Sequence, residues 1–275
     1  MIGRHVVVGV DGSLVATRAL DGAAREALWR GVALRVVYAV QDRDEAGPVL
    51  AAAVSRVRER HPRLPVTATA VEADAARALV GAGHDAELTV VGARGLGPVA
   101  GLLLGSVAVR LAAHLNGPLL VVLGDHPPAE RGRVVVALEG EADTAAVEYA
   151  FAEAERRAAR LVILCAWEQR HLPQGPPPRM AVRAPGAVRV ARRLGTEVPV
   201  ARTAVERLRR RHPLVEVDTR MVRTVAPQTL LRSTGEADVV VAARPHTAGL
   251  PGPRLGWAVH TLLGRSRCPV LIVPT

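Results

Sequence analysis

Val6-Val7-Val8-Gly9-Val10-Asp11-Gly12-Ser13 and its echo Val134-Val135-Val136-Ala137-Leu138-Glu139-Gly140-Glu141 decide how this chain folds. Each aliphatic run lacks polar alternation, which marks a parallel strand buried on both faces. Each is followed by a turn and an alanine-rich amphipathic stretch, the first strand and helix of a βα unit. The two copies stand 128 residues apart. Further along, Arg60-His61-Pro62 matches Arg211-His212-Pro213 at a spacing of 151, and that spacing carries Leu79 to Leu230, Ala86 to Ala237, Gly105 to Gly256 and Pro118 to Pro269. The chain is one unit written twice. The change of spacing places an insertion in the second copy, between its second strand and second helix, at His171-Leu172-Pro173-Gln174-Gly175-Pro176-Pro177-Pro178. Proline fixes φ and donates no backbone hydrogen, so this segment reads as a surface loop.

Within the first copy, β-branched runs at about 4–10, 34–40, 66–71, 88–92 and 119–123 alternate with helical patterns, as stacked βαβ units do. Right-handed crossovers leave few topologies, and the expected one is a doubly wound parallel sheet in the order 3-2-1-4-5, flanked by helices. Gly124 to Gly132 has linker composition. The expected domains are therefore 1–124 and 133–275, the second holding the proline-rich loop. Leu119 to Leu123 and Pro269 to Pro274 fall at the sheet edges, where exposed apolar strands invite pairing. The two copies are thus expected to form a pseudo-dimer within one chain, with a homodimer of chains left open.

Bulk composition narrows the function. The net charge of +10 would suit a polyanion, but all 36 basic residues are arginine, the mark of a coding bias, and aromatics are only 2%. Stacking platforms for single strands are missing, so nucleic acid is not expected as a partner. Leu102 to Leu115 is the most apolar stretch, interrupted by Arg110 and well short of the roughly 20 residues that span a bilayer. No secretion signal is read ahead of Val6, and a cytoplasmic protein is expected. Cys165 and Cys268 lie far apart with no metal-ligand spacing around them, so reduced thiols are expected and no metal site is assigned.

The chemistry lies at the ends of strands 1 and 4, where such sheets bind ligands. There the chain reads Asp11-Gly12-Ser13 and Gly92-Ala93-Arg94-Gly95, followed by a glycine-rich loop to Gly105-Ser106 at the start of a helix. Glycines let phosphates approach the backbone, and a helix N-terminus offers free N–H donors to an anion. The spacing Gly-x2-Gly-x9-Gly-Ser/Thr arises by chance on the order of 0.01 times in a chain of this composition.

With that spacing the first half resembles a universal stress protein, and the repeat makes the whole chain resemble the tandem form of the family. The resemblance implies ATP, with adenine and ribose near Asp11 and Val40 and the phosphates at Gly92, Gly95, Gly105, Ser106 and Val107; Arg94, between the first two glycines, is counted among the ATP-binding residues. It also implies that Mg2+ accompanies the triphosphate. The second copy departs from the pattern: Gly92 becomes Ala243, Gly95 becomes His246, Ser106 becomes Trp257 and Asp11 becomes Glu139, while Gly105 survives as Gly256. A Cβ takes the room a phosphate needs, and an indole has the volume to fill the cradle. One ATP site per chain is expected, in the first half.

Each residue also has a plainer use. Asp11, Gly12 and Ser13 serve as a turn and helix cap in many proteins, and Gly105-Ser106 as a cap without a ligand. His61 and His212 read as loop residues copied by the duplication. His246, His260 and Cys268 have no spacing that makes a nucleophile and base. No catalytic residue is assigned. The leading function is a nucleotide-responsive stress or regulatory module with an unidentified protein partner. A slow ATPase or autophosphorylating enzyme is the alternative, with Ser13, Ser106 and Arg94 as its polar candidates.

Overall fold

The computed structural model describes residues 4–93, 105–123, 131–138, 143–166, 198–222, 227–244 and 256–274. The first half runs β1 (His5–Val10), α1 (Leu14–Arg30), β2 (Ala33–Val40), a 3-10 turn (Arg43–Ala46), α2 (Gly47–Arg60), β3 (Val66–Glu72), α3 (Ala75–Ala82), β4 (Leu88–Gly92), α4 (Ser106–His114) and β5 (Leu119–Val122). The second half repeats it as β6 (Arg133–Leu138), α5 (Thr144–Arg156), β7 (Arg160–Ala166), α6 (Val198–Arg211), β8 (Val217–Val222), α7 (Pro227–Thr234), β9 (Val239–Arg244), α8 (Trp257–Arg265) and β10 (Val270–Pro274). The proline-rich loop lies outside the described residues.

All ten strands form one sheet in the order β3-β2-β1-β4-β5-β10-β9-β6-β7-β8. Each half thus has the expected 3-2-1-4-5 order, and every pairing is parallel except that between β5 and β10. Val6, Val7 and Val8 are all fully buried because helices cover both faces of the sheet. Val6 and Val8 face the layer holding α1 and α5, while Val7 faces the layer holding α4 and α8. Burying one such side chain contributes about 1.5–3 kcal/mol, so the central strands supply much of the driving force. Among the described residues no helix is long and apolar enough to cross a membrane.

At the junction Leu120 pairs with Leu271, Val121 with Val270, and Leu119 with Ile272. Leu120 and Leu271 are copies of one another, 151 residues apart. A local twofold axis therefore passes between them, and the pairing has the self-complementary form of a symmetric dimer interface.

Beside this axis α1 and α5 meet through four buried ions. Glu26 and Glu153 occupy matching positions 127 residues apart, as do Arg30 and Arg157. Arg30 donates to Glu153 at 2.9 Å, and Arg157 donates to Glu26 and, at 2.7 Å, to Glu153. Arg30 also pairs with Glu26. The Glu26, Arg30 and Glu153 side chains are only 1–2% exposed. The spacing of 128 that relates β1 to β6 has thus slipped to 127 by the ends of these helices, so the second copy is one residue shorter here. The helix ends match at that spacing too. The Gly31 N–H reaches the Leu28 carbonyl at 3.1 Å and Val32 reaches Ala27 at 3.0 Å, while Ala158 reaches Glu155 at 3.1 Å and Ala159 reaches Ala154 at 2.9 Å.

One asymmetry decides how the two carboxylates behave. Arg156 adds a third guanidinium, 2.9 Å from Glu153, where the first half carries Trp29, whose ring packs 4.6 Å from the Arg157 guanidinium. Burial alone would raise the Glu153 carboxyl, but Arg157, Arg30 and Arg156 together outweigh it and hold it below the usual glutamate range. For Glu26, burial and then the charge of Glu153 win over Arg157 and Arg30 and push its carboxyl up.

Candidate functional site

Asp11 follows the last residue of β1, and its Oδ1 accepts the Ser13 N–H at 3.0 Å. Gly12 between them has φ of 81°, a left-handed conformation that glycine adopts without strain. Ser13 caps α1, its Oγ accepting the Ala16 N–H at 3.1 Å. The plainer use of these three residues, a turn and a cap, is therefore present in the fold. Val40 ends β2 at the same edge of the sheet, opposite Glu72 and half-buried.

Gly92 ends β4, and the structure gives its missing side chain a specific reason. A Cβ there would stand 2.8 Å from Val15 Cγ1 and 3.2 Å from the Val15 backbone carbon and oxygen. The first turn of α1 is pressed onto the end of β4, joining the β1 and β4 loops at the point where strand order reverses. Sequence reasoning assigned Gly92 to phosphate access and missed Val15. Nothing in the residue type of Val15 marks it, because the contact, made by both its side chain and its backbone, arises only when α1 packs on the end of β4.

The chain returns to the same edge at Gly105, whose N–H donates to the Ala93 carbonyl at 2.7 Å. The two ends of the glycine-rich loop are thereby drawn together, although Arg94 and Gly95 lie outside the described residues. Gly105 caps α4 with φ of −67° and ψ of 133° and provides no side-chain hydrogen bond to the helix. The first N–H groups of an α-helix have no acceptor within it, so the first turn of α4 presents donors beside Ala93. Ser106 is exposed there, and Val107 is half-buried against the α4 layer of the core. Asp11, Gly92, Gly105, Ser106 and Val107 thus gather at the strand ends, with Val40 one strand further out.

The second half keeps the frame and changes its lining. Ala243 stands in β9 where Gly92 ends β4, and α5 starts at Thr144, the counterpart of Thr17 at the spacing of 127, a turn later than α1 does. Gly256 still caps α8 without a side-chain bond, and Trp257 is the first residue of that helix. Glu139 and His246 lie outside the described residues. Arg244, in the place of Ala93, turns to the other half and donates to the Ala112 carbonyl in the last turn of α4 at 3.1 Å. A cation at the negative end of a helix is favourable there, and burial lowers the pKa of this guanidinium. His212, read from sequence as a loop residue, packs its ring 5.7 Å from that of Phe151 and meets Glu155 at 2.8 Å. Cys268 is buried, which pushes its thiol up to about 11 and leaves it a poor nucleophile.

A duplicated, doubly wound α/β sheet whose first half carries Gly92 and Gly105 at its switch point defines the class. The family model described as "Universal stress protein family" matches residues 3–122 and 130–274, so the chain belongs to the universal stress protein family. A universal stress protein of Mycolicibacterium smegmatis is 28% identical, the match covering 98% of this chain and 96% of that protein. One of Mycobacterium tuberculosis is 30% identical, covering 97% of this chain and 94% of its own length. A putative universal stress protein from Pseudomonas aeruginosa shares the fold with a TM-score of 0.67 at 16% identity, covering 99% of this chain and 94% of the other. One from Archaeoglobus fulgidus does so with a TM-score of 0.64 at 16% identity, covering 98% and 96%.

Proposed function

We propose that this chain binds ATP in the crevice of its first half and acts as a nucleotide-responsive stress or regulatory module in the cytoplasm. Residues 1–124 would form the binding unit and residues 133–275 its built-in partner. The observation that carries the reading is the 2.7 Å bond from the Gly105 N–H to the Ala93 carbonyl. It closes the Gly92-x2-Gly95-x9-Gly105-Ser106 loop beside the end of β1, where the backbone N–H groups of Ser106 and Val107 suit a phosphate chain. The cradle fits such a group, because no side chain of Gly105 occupies it and Ser106 is exposed. In this reading Arg94 and Gly95 complete the phosphate contacts, and Asp11 and Val40 face the ribose and adenine. Among the described residues no group of three His, Cys, Asp or Glu stands together as a metal site. Mg2+ would accompany the phosphates and offset their charge.

The second half is proposed not to take the triphosphate, since Ala243, His246 and Trp257 replace the residues that line the cradle. Regulation by ATP requires unequal affinity for two states of the molecule or of its complex. Calorimetric titration of ATP with Mg2+ into the full chain tests the reading. One site per chain is expected, strongly weakened by Gly105→Val in a variant with an unchanged melting profile. Absence of binding to the unmodified chain, or two equal sites, would overturn it.

A further inference from the structure

Asp74 and Arg110 form an ion pair between the start of α3 and α4. Asp74 caps α3, accepting the Ala76 and Arg77 N–H groups at 3.2 Å each. The Arg110 guanidinium lies 2.7 Å from Asp74 Oδ1 and 2.8 Å from Oδ2. Arg110 is four residues after Ser106, one turn along the same face of α4. Side chains on a helix lean toward its N-terminus, which carries this guanidinium back along the first turn. It therefore lies between the starts of two helices, at the edge of the sheet where Gly92, Gly105 and Ser106 gather. Both members are about half exposed, at 51% and 52%, so the pair can part without opening the core.

A surface pair that merely ties α3 to α4 would contribute about 0–1 kcal/mol. The repeat separates that use from another. At the spacing of 151, Asp74 becomes Val225 and Arg110 becomes Thr261, while the packing residues Leu79, Ala86 and Leu111 persist as Leu230, Ala237 and Leu262. The α7 and α8 helices still pack on one another. The pair is thus dispensable for the helix contact and has been lost from the half that also lost Gly92 and Ser106. In the first half the Asp74 carboxylate is the anion now held between the two helix starts. Arg110, through their hydrogen bond, keeps that carboxyl below the usual aspartate range.

We propose that Arg110 reads the terminal phosphates of the nucleotide in the first crevice, exchanging Asp74 for a phosphate oxygen when the ligand enters. The inference rests on the nucleotide reading of that crevice and adds selectivity for chain length: ATP over ADP, and ADP over AMP. It predicts opposite signs for the two partners. Removing Arg110 weakens ATP, whereas neutralising Asp74 removes a competitor and tightens it.

The test is calorimetric titration of ATP, ADP and AMP, with Mg2+, into the full chain and its Arg110→Gln, Arg110→Lys and Asp74→Asn variants, each checked by its melting profile. Arg110→Gln should weaken ATP about 10- to 100-fold, the range of a charge-assisted hydrogen bond, and leave AMP within about twofold. Arg110→Lys should fall between, and Asp74→Asn should tighten ATP. An equal effect of Arg110→Gln on all three nucleotides, no effect, or the same sign for Arg110→Gln and Asp74→Asn would overturn the assignment while leaving the crevice reading intact. If the unmodified chain binds none of the three, both fall.

Discussion

The junction between the halves and the two crevices had the same starting point, a duplicated unit, and they have diverged to different degrees. At the junction the copies still match at the positions that make the contact, Leu120 with Leu271, Glu26 with Glu153 and Arg30 with Arg157, and differ beside them, as Trp29 does from Arg156 and Val121 from Ile272. At the crevices the corresponding positions themselves differ, Gly92, Gly95 and Ser106 being replaced by Ala243, His246 and Trp257 in the second copy. A symmetric contact constrains both copies at once, because each Glu and Arg serves its own helix and the opposite one. A crevice serves only its own half, so one can lose its lining while the other keeps it.

The strongest way to break this comparison is to remove one member of the buried quartet. Glu153→Gln leaves Arg30, Arg156 and Arg157 with a single buried carboxylate among them. It should destabilise the chain by about 3–5 kcal/mol, the usual consequence of breaking a buried pair. Replacing Glu26, Arg30, Glu153 and Arg157 together by apolar residues of similar volume should be far milder, since the desolvation of all four ions is also removed. Urea unfolding measures both. A Glu153→Gln effect below about 1 kcal/mol, the level of a surface pair, would mean the matching ions have little part in holding the halves.

Acid titration sharpens the same comparison, because the symmetry is imperfect. Glu153 is lowered in the folded chain, so its contribution is present above the unfolded value of about 4.3 and is lost as pH falls through the folded value. Glu26 is raised, so its contribution is present below about 4.3 and is lost as pH climbs through its folded value. Urea unfolding between pH 3 and 7, a span of roughly the carboxylate range, should show Glu153→Gln flattening the acid limb and Glu26→Gln the limb above it. Glu26→Gln should also be the milder of the two at neutral pH. Equal profiles for the two variants would show that Arg156 does not break the symmetry.

Much of this fold was legible because the information is local and repeated. The valine run at Val6 to Val8 names a strand buried on both faces, and one spacing holding from Leu79 to Pro118 names the duplication. The glycine spacing pointed to the ends of β1 and β4, where Gly92 and Gly105 are found. The quartet was not legible: Glu26 with Arg30 and Glu153 with Arg157 read as ordinary pairs one turn apart on a helix. They become buried only when β5 and β10 join, and the one-residue slip hides that the two pairs correspond. Gly92 was legible as a position that excludes a side chain. What excludes it, Val15 through its Cγ1 and its backbone, is a tertiary contact that no residue type announces.

A smaller effect tests how far the crevices differ in packing rather than in ligand. Gly92→Val should cost about 1–3 kcal/mol by overpacking, since the new side chain meets Val15 at 2.8 Å. Ala243→Gly in the other half should cost no more than about 1 kcal/mol through added freedom of the unfolded chain. Thermal melts would show the asymmetry, and equal shifts would remove the packing reason for the glycine.

The smallest expected effect lies where the copies match in hydrogen bonding but not in residue type. Gly31 ends α1 with φ of 65°, and its counterpart Ala158 holds the corresponding place after α5 with φ of 48°. In that left-handed region a Cβ crowds the following carbonyl, at a cost of roughly 1–2 kcal/mol for a residue other than glycine. Ala158→Gly should therefore stabilise the chain by about 1 kcal/mol, part of the relief being offset by the greater freedom of glycine when unfolded. Gly31→Ala should do the reverse. The pair of melts reads out whether the second copy retains the turn geometry of the first against the preference of its own residue. A destabilising Ala158→Gly would show that the two turns are no longer equivalent.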